Sequence, residues 1–264
     1  MKNENIKNLI RIAHYNILSG GKDRLNKIIK VIGSINPDIC GLLEAVGWEN
    51  NIDTYKKKFK SKGYKYFYLA KANSKYNIAI ISKIQIKVEE VKRGIRHVIV
   101  KVMIKEGHLK NTEIYYVHLS PYSEDERISE IKILFKKISK SKNVILMGDF
   151  NALSFLDKNN SKKLLSKFKK KNITKYGTKN LRFDVISEIY KNNFIDTFNF
   201  LKNKFDYSTP TKCNTDTNHA EKIRIDYAFV NKNLLTKIKT CKIFKNIITE
   251  TASDHYPLYI EIKN

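Results

Sequence analysis

Short apolar runs alternate with segments of helical period along this chain. Residues Leu9-Ile10-Arg11-Ile12-Ala13-His14-Tyr15 read as a strand. Leu25, Ile28, Ile29 and Ile32 then recur at helical spacing until Asn36-Pro37 stops them. Ile39-Cys40-Gly41-Leu42-Leu43 is continuously apolar, as a strand covered on both faces should be. The middle of the chain predicts strands over 66–69, 77–82, 84–91, 98–104 and 112–117, and such neighbours suggest hairpins and antiparallel pairing. A second helical pattern (Ile128, Ile131, Leu134, Phe135, Ile138) leads into a strand at 144–147. The last third predicts helices over 162–168 and 183–190, then strands over 223–230, 238–244 and 257–262. With four prolines, ten glycines and no repeat or linker, residues 1–264 read as one domain with a core from about 9 to 262.

One regularity in this layout points to chemistry. A strand ends at Asn16, a helix follows, and the next strand ends at Glu44, 28 residues on. Later a strand ends at His118, a helix follows, and the next strand ends at Asp149, 31 residues on. Two similar strand–helix–strand units thus deliver polar groups to the carboxyl ends of their strands, where α/β folds build active sites.

Composition narrows the classes. The 264 residues are 42% hydrophobic and 11% aromatic, which excludes disorder as the main state. Apolar stretches such as Ile78-Ala79-Ile80-Ile81 fall far short of the roughly 20 residues a membrane span needs. The polar start Met1-Lys2-Asn3-Glu4-Asn5 lacks an apolar signal core. Cys40, Cys213 and Cys241 lie far apart with no Cys-x-x-Cys pair, which excludes a disulfide scaffold or Cys-rich zinc site and suits a reducing cytoplasm. Basic residues outnumber acidic ones 51 to 26, for a net charge of +25. Only seven of the 51 are arginine, and the abundance of Lys, Asn and Ile resembles the bias of an A/T-rich genome. The excess therefore has two readings, compositional drift or attraction of a polyanion.

Four segments concentrate reactive side chains: Leu42-Leu43-Glu44, Gly148-Asp149-Phe150-Asn151, Arg224-Ile225-Asp226-Tyr227 and Ser253-Asp254-His255. His14-Tyr15-Asn16 and Val117-His118-Leu119 complete the set. Converging Glu44, Asp149 and Asp254 would repel one another unless a cation joined them. Oxygen ligands with amides and no Cys suit a hard cation, Mg²⁺ or Mn²⁺. Two histidines and Arg96, with Arg93 and His97 as its competitors, could bind phosphate oxygens, so the implied chemistry is attack of a positioned water on a phosphoester. Taken singly, Asp149-Phe150-Asn151 would be a helix cap or Asx turn, and Ser253-Asp254-His255 a solvated turn.

Taken together, these residues resemble the endonuclease/exonuclease/phosphatase superfamily, the deoxyribonuclease I-like phosphohydrolases. Gly148-Asp149-Phe150-Asn151 matches Gly-Asp-x-Asn, and Ser253-Asp254-His255 matches Ser-Asp-His. Glu44 matches the strand-ending glutamate, although Leu43 stands where glutamine is usual. Asn16 sits at the first-strand asparagine, Asp226 in the Asp-Tyr motif, and His118 at the histidine most members carry. The resemblance implies an α/β fold, a four-layer α/β/β/α sandwich with two mixed sheets packed face to face. It implies that Glu44 binds metal with Asn16 beside it, directly or through water, and that Asp254 supports that site. Asp149 would take a proton from the attacking water and Asn151 would orient water or phosphate. His255 would hydrogen-bond the scissile phosphate, held in its tautomer by Asp226, while His118 and Arg96 bind phosphate oxygens from the opposite side.

The substrate is less constrained. The resemblance and charge favour a nucleic-acid phosphodiester, with a phosphomonoester of a small metabolite or lipid headgroup as the alternative. Asn16 is followed by Ile17-Leu18 rather than the Asn-x-Asp or Asn-x-Asn of exonuclease III relatives, which argues against abasic-site repair. The segment Leu156 to Arg182 carries ten basic residues and one acidic, so it either contacts substrate phosphates near the site or is a solvated lysine-rich face. Tyr76 and Asn77 are further candidates to line the site, His14 reads as structural, and His108 and His219 have no motif support. A cytoplasmic monomer with no membrane association and no obligate protein partner is expected.

Overall fold

The computed structural model describes residues 9–138, 143–157, 161–202, 204–215 and 221–263. Twelve strands among them form two six-stranded sheets. The first runs in the order β11 (Ile238–Ile243), β12 (Leu258–Lys263), β1 (Leu9–Asn16), β2 (Ile39–Leu43), β4 (Ile78–Ser82), β3 (Tyr66–Ala70). The second runs β5 (Ile86–Val91), β6 (Ile99–Ile104), β7 (Glu113–His118), β8 (Val144–Asp149), β10 (Asp226–Asn231), β9 (Phe194–Asp196). Each sheet has one parallel pair at its centre, β1 with β2 and β7 with β8, and antiparallel neighbours elsewhere. The long helices α1 (Leu25–Ile35), α2 (Ile52–Lys60), α3 (Glu124–Lys137), α4 (Ser161–Lys170) and α5 (Asp184–Lys191) are joined by short α6 (Thr197–Lys202), α7 (Lys232–Leu235) and α8 (Thr249–Ala252).

Strand alternation builds the layers. On β1, Ile10 and Ile12 enter the core between the sheets, while Ala13 and Tyr15 meet Ile28, Val31 and Ile32 of α1 on the outer face. On β7 and β8, Ile114, Tyr116, Ile145 and Met147 point between the sheets. Tyr115, Val117, Val144 and Leu146 point the other way, against Ile131 and Leu134 of α3 and Val185, Ile186 and Ile189 of α5. The result is the four-layer α/β/β/α sandwich. Helix α3 starts where Ser123 Oγ accepts the Glu126 N–H at 3.2 Å, and Glu124, Asp125 and Glu126 occupy its positively polarised first turn.

Two details differ from the sequence pattern. The neighbouring strands expected over 77–82 and 84–91 both form but do not pair with each other, because β4 pairs with β2 and β3 in one sheet while β5 pairs with β6 in the other. The stretch from 223 becomes regular strand only at Asp226; Ile223 instead makes an isolated bridge to Thr209. No helix among the described residues is long and apolar enough to cross a membrane.

Candidate active site

The alternation that fills the inter-sheet core also decides what lies at its end. Residues 12, 14 and 16 on β1 share one face, as do 114, 116 and 118 on β7, 145, 147 and 149 on β8, and 226, 228 and 230 on β10. Asn16, His118, Asp149 and Asp226 are thus the terminal inward-facing positions of four strands. The ladders align them: His118 is opposite Asp149, and Asp149 is opposite Asp226. Gly148 makes this register feasible. Its φ of 147° is poorly suited to side chains, and a Cβ there would lie 1.9 Å from the Val117 carbonyl oxygen.

Glu44 follows inward-facing Leu43 and would by alternation point outward. A left-handed backbone (φ 63°), unusual for glutamate, breaks the alternation there. Its carboxylate accepts the Asn16 Nδ2 at 3.0 Å and the Ser19 N–H at 2.9 Å. The same Asn16 nitrogen lies 3.3 Å from Asp149 Oδ2, so one amide clamps carboxylates from both sheets. Asn16 Oδ1 is occupied by the Leu18 N–H at 3.1 Å. His118 Nε2 faces both acids, 3.9 Å from Glu44 and 3.7 Å from Asp149. Asp149 Oδ1 accepts the Asn151 N–H at 2.8 Å, which turns the chain, with Asn151 also in the left-handed region (φ 48°). Asn151 Nδ2 donates to the Leu119 carbonyl, while its buried Oδ1 has no partner among the described residues.

His255 enters from the other side. Its Nδ1 is 2.7 Å from Asp226 Oδ2 and its Nε2 is 3.8 Å from Asp149 Oδ2. Burial opposes a charge on this ring, but Asp226, Asp254 and Asp149 outweigh it and hold the imidazole protonated well above its ordinary range. Asp226 is fixed by its backbone N–H to Ser208 Oγ at 3.2 Å. Asp254 is buried beside Ser253, whose hydroxyl donates to the Asn16 carbonyl at 2.6 Å and ties this loop to β1. His14 adds a second imidazole, 3.7 Å from Asp226 Oδ1; burial lowers its pKa to about 4 and keeps it neutral.

Asn16, Glu44, His118, Asp149, Asn151, Asp226 and His255 therefore converge, with Asp254 acting on His255 through its charge. Arg96 does not join them. Its guanidinium stacks 4.0 Å over the Tyr122 ring and lies 3.8 Å from Glu126, on the rim. Its neighbour His97 is the residue that reaches the cluster, stacked on His118 at 4.6 Å, with Tyr76 edge-on to both rings. Ser74 Oγ accepts the Tyr76 N–H at 3.1 Å and shares a 2.6 Å hydrogen bond with His97 Nδ1, which fixes the orientation of the ring. Burial, His118 and Arg96 lower the His97 pKa to about 3, so the ring is neutral. Sequence reasoning had no means to choose it over Arg96, because the two sit on a connection rather than within a periodic strand. Asn77 binds Glu49 and the Ala72 N–H, holding two loops together.

The lysine-rich segment is partly neutralised. Lys167 and Lys171 both bind Glu221, and Arg182 binds Asp125 and Asp184. Its apolar side, Leu164, Phe168, Ile173 and Tyr176, packs on Ile223 and Ile225, directly before Asp226. Lys158 and His219 lie outside the described residues.

Asp149, Asp226 and His255 each offer one ligand atom within 4.8 Å of the others, so this buried group could hold a metal ion. Ligation through His255 Nδ1 would break its 2.7 Å bond to Asp226, and ligation through Nε2 would remove the ring proton that Asp226, Asp254 and Asp149 favour, whereas the acids clamped by Asn16 offer oxygen donors with no such cost. That donor chemistry suits a hard divalent cation.

A model of the Endonuclease/Exonuclease/phosphatase family matches residues 13–255. No curated protein matches the chain by sequence. Among solved structures, an AP endonuclease from Archaeoglobus fulgidus has a TM-score of 0.70 at 17% identity, covering 95% of this chain and 98% of that one. A 3′ phosphatase from Neisseria bound to product DNA hairpin has a TM-score of 0.74 at 13% identity, covering 97% and 100%. An endonuclease/exonuclease/phosphatase family protein from Leptotrichia buccalis gives 0.65 at 22% identity, covering 97% and 100%. These likenesses establish the fold, and the match over residues 13–255 establishes more: the chain belongs to the Endonuclease/Exonuclease/phosphatase family, hydrolases that act on phosphoester bonds.

Proposed function

We propose that this protein is a divalent-metal-dependent phosphodiesterase that hydrolyses nucleic acid with a positioned water. The observation that carries this reading is the charge balance of the buried cluster. Asp149, Asp226 and Asp254 gather around the His255 imidazolium, and Asn16 clamps a fourth carboxylate, Glu44, to Asp149, so acids outnumber the cations within the cluster. Buried carboxylates in excess are tolerated where a cation joins them. Glu44 would hold Mg²⁺ or Mn²⁺, with Asn16 beside it acting directly or through water, and with Asp254 in support. Such an ion supplies charge neutralisation at the phosphate.

The remaining roles follow from the side chains themselves. Asp149 accepts the proton of the attacking water, and Asn151, with its free Oδ1, orients that water. His255, kept cationic, donates to a phosphate oxygen as charge develops, while Asp226 holds its tautomer. His118 is poised to donate from the opposite wall, with the neutral His97 ring stacked on it. Arg96 contributes positive potential from the rim rather than a contact within the cluster. The nucleic-acid assignment draws on the net charge of +25 and on relatives of the same fold described as an AP endonuclease and as a phosphatase bound to DNA.

The test is hydrolysis of plasmid DNA, single-stranded oligonucleotides and a panel of phosphomonoesters, with Mg²⁺ and with chelator. Metal-dependent cleavage of DNA or oligonucleotides is expected, together with a rise in Tm when Mg²⁺ is added. Turnover of monoesters alone, without salt-sensitive DNA binding, would assign the site to the phosphomonoesterase reading instead.

A further inference from the structure

The geometry points to a nucleobase-stacking ledge on the His118 side of the site, formed by Tyr122 and Arg96, that takes a base flanking the scissile phosphate. This inference rests on the phosphodiesterase reading and gives it a feature that a phosphomonoester without a base would not need. Tyr122 lies four residues beyond His118, and its side chain is 57% exposed. The Arg96 guanidinium covers part of its ring at 4.0 Å. Arg96 is followed directly by His97, whose ring stacks on His118 at 4.6 Å, so both loops that form the ledge, 96–97 and 118–122, also supply the wall of the site.

The ledge is built rather than incidental. Two glutamates one turn apart on α3 staple together the two loops that carry it. Buried Glu130 accepts the Arg96 N–H at 2.7 Å and the Ser120 N–H at 2.8 Å. Glu126 accepts the Ser120 hydroxyl at 2.5 Å and lies 3.8 Å from the Arg96 guanidinium. The Ser120 hydroxyl accepts the Tyr122 N–H at 3.3 Å, which fixes the start of the tyrosine's own backbone. A flat aromatic face and a flat cation, carried on backbones fixed before any ligand arrives, suit planar ligands. Beside a phosphate-binding wall, a planar group and a phosphate together describe a nucleotide. Bases stack on tyrosine rings and arginine planes with little regard to sequence. A lipid or sugar headgroup presents no such plane.

The experiment compares two oligonucleotides of equal length, one normal and one in which the bases around the cleavage site are replaced by tetrahydrofuran abasic units. Each is assayed with wild type, Tyr122→Ala and Tyr122→Phe. For Tyr122→Ala, the ratio of kcat/KM for the normal over the base-free oligonucleotide should fall about tenfold, within the range of one lost stacking contact. Tyr122→Phe should keep the wild-type ratio. Independently, 2-aminopurine beside the scissile phosphate should be quenched on binding to wild type and less so with Tyr122→Ala. An unchanged ratio with Tyr122→Ala, in an enzyme that cleaves the normal oligonucleotide, overturns the ledge and leaves the phosphodiesterase reading standing. A wild type that cleaves neither oligonucleotide overturns both.

Discussion

Two clusters of buried charge lie two residues apart on one stretch of chain, and they solve the same problem differently. At Arg224 a fully buried guanidinium meets Asp157 and Asp196, each at 2.6 Å, and stacks 4.4 Å over Tyr227. At Asp226 a carboxylate joins Asp149 and Asp254 around His255, with Glu44 held to Asp149 by the Asn16 amide. The first cluster brings its own strong cation and anchors the strand. The second is short of positive charge even with His255 protonated. A buried anion set completed by arginine is structure; one left incomplete is a place for a ligand.

The largest effects should separate these clusters. Asp149→Asn removes the proposed proton acceptor, and kcat should fall about 10³- to 10⁴-fold. Because the change also relieves like-charge repulsion, Tm should hold or rise. A matching loss of Tm would place Asp149 in the structural class and collapse the distinction. Arg224→Met does the reverse. It strands Asp157 and Asp196 without their cation and should cost about 3–5 kcal/mol of stability, read from denaturant unfolding. If Arg224→Met is as stable as wild type, the cluster is not the anchor described.

The Arg224 cluster also carries a pH signature. Burial raises the Asp157 pKa to about 6, outweighing the nearby guanidinium. Its folded pKa thus exceeds the ordinary 3.8, so folding favours the protonated acid. That contribution is full below about pH 4 and is lost as pH rises through 6, an effect of at most about 3 kcal/mol. The stability difference between Asp157→Asn and wild type, followed from pH 4 to 7, should grow in favour of the asparagine. A flat difference would mean that the ion pair, not burial, governs Asp157.

Much of the second cluster is legible in the sequence because strand alternation has a period of two. Once 12, 145 and 228 are read as core, the faces of Asn16, Asp149 and Asp226 follow. Spacing then related the two strand–helix–strand units. Rim residues were illegible for the complementary reason. Arg96 and His97 sit on a connection, where neighbouring side chains diverge according to local hydrogen bonds, here those to Glu130 and Ser74. The passage of the chain from one sheet to the other between β4 and β5 was hidden too, since both strands carry similar apolar runs. Glu44 departs from alternation through one left-handed residue that no periodicity encodes. The Arg224 network was missed because its acids lie 67 and 28 residues away in sequence.

The smallest expected effect carries the same contrast to the surface. Lys167 and Lys171 of the basic segment share Glu221, whereas Lys169 and Lys170 are exposed with no partner among the described residues. If the segment meets nucleic-acid phosphates, only cations not already compensated release counterions in full on binding. Each such contact contributes about 0.9 to the slope of log K against log salt on duplex DNA. Lys169→Ala with Lys170→Ala should therefore flatten that slope by as much as about 1.8, measured by fluorescence anisotropy between 50 and 200 mM salt. Lys167→Ala should flatten it less, because removing it also frees Glu221 to repel the phosphates and so lowers affinity with a different salt signature. Equal slopes for both variants and wild type would return the segment to a solvated lysine face, and leave compositional drift as the source of its charge.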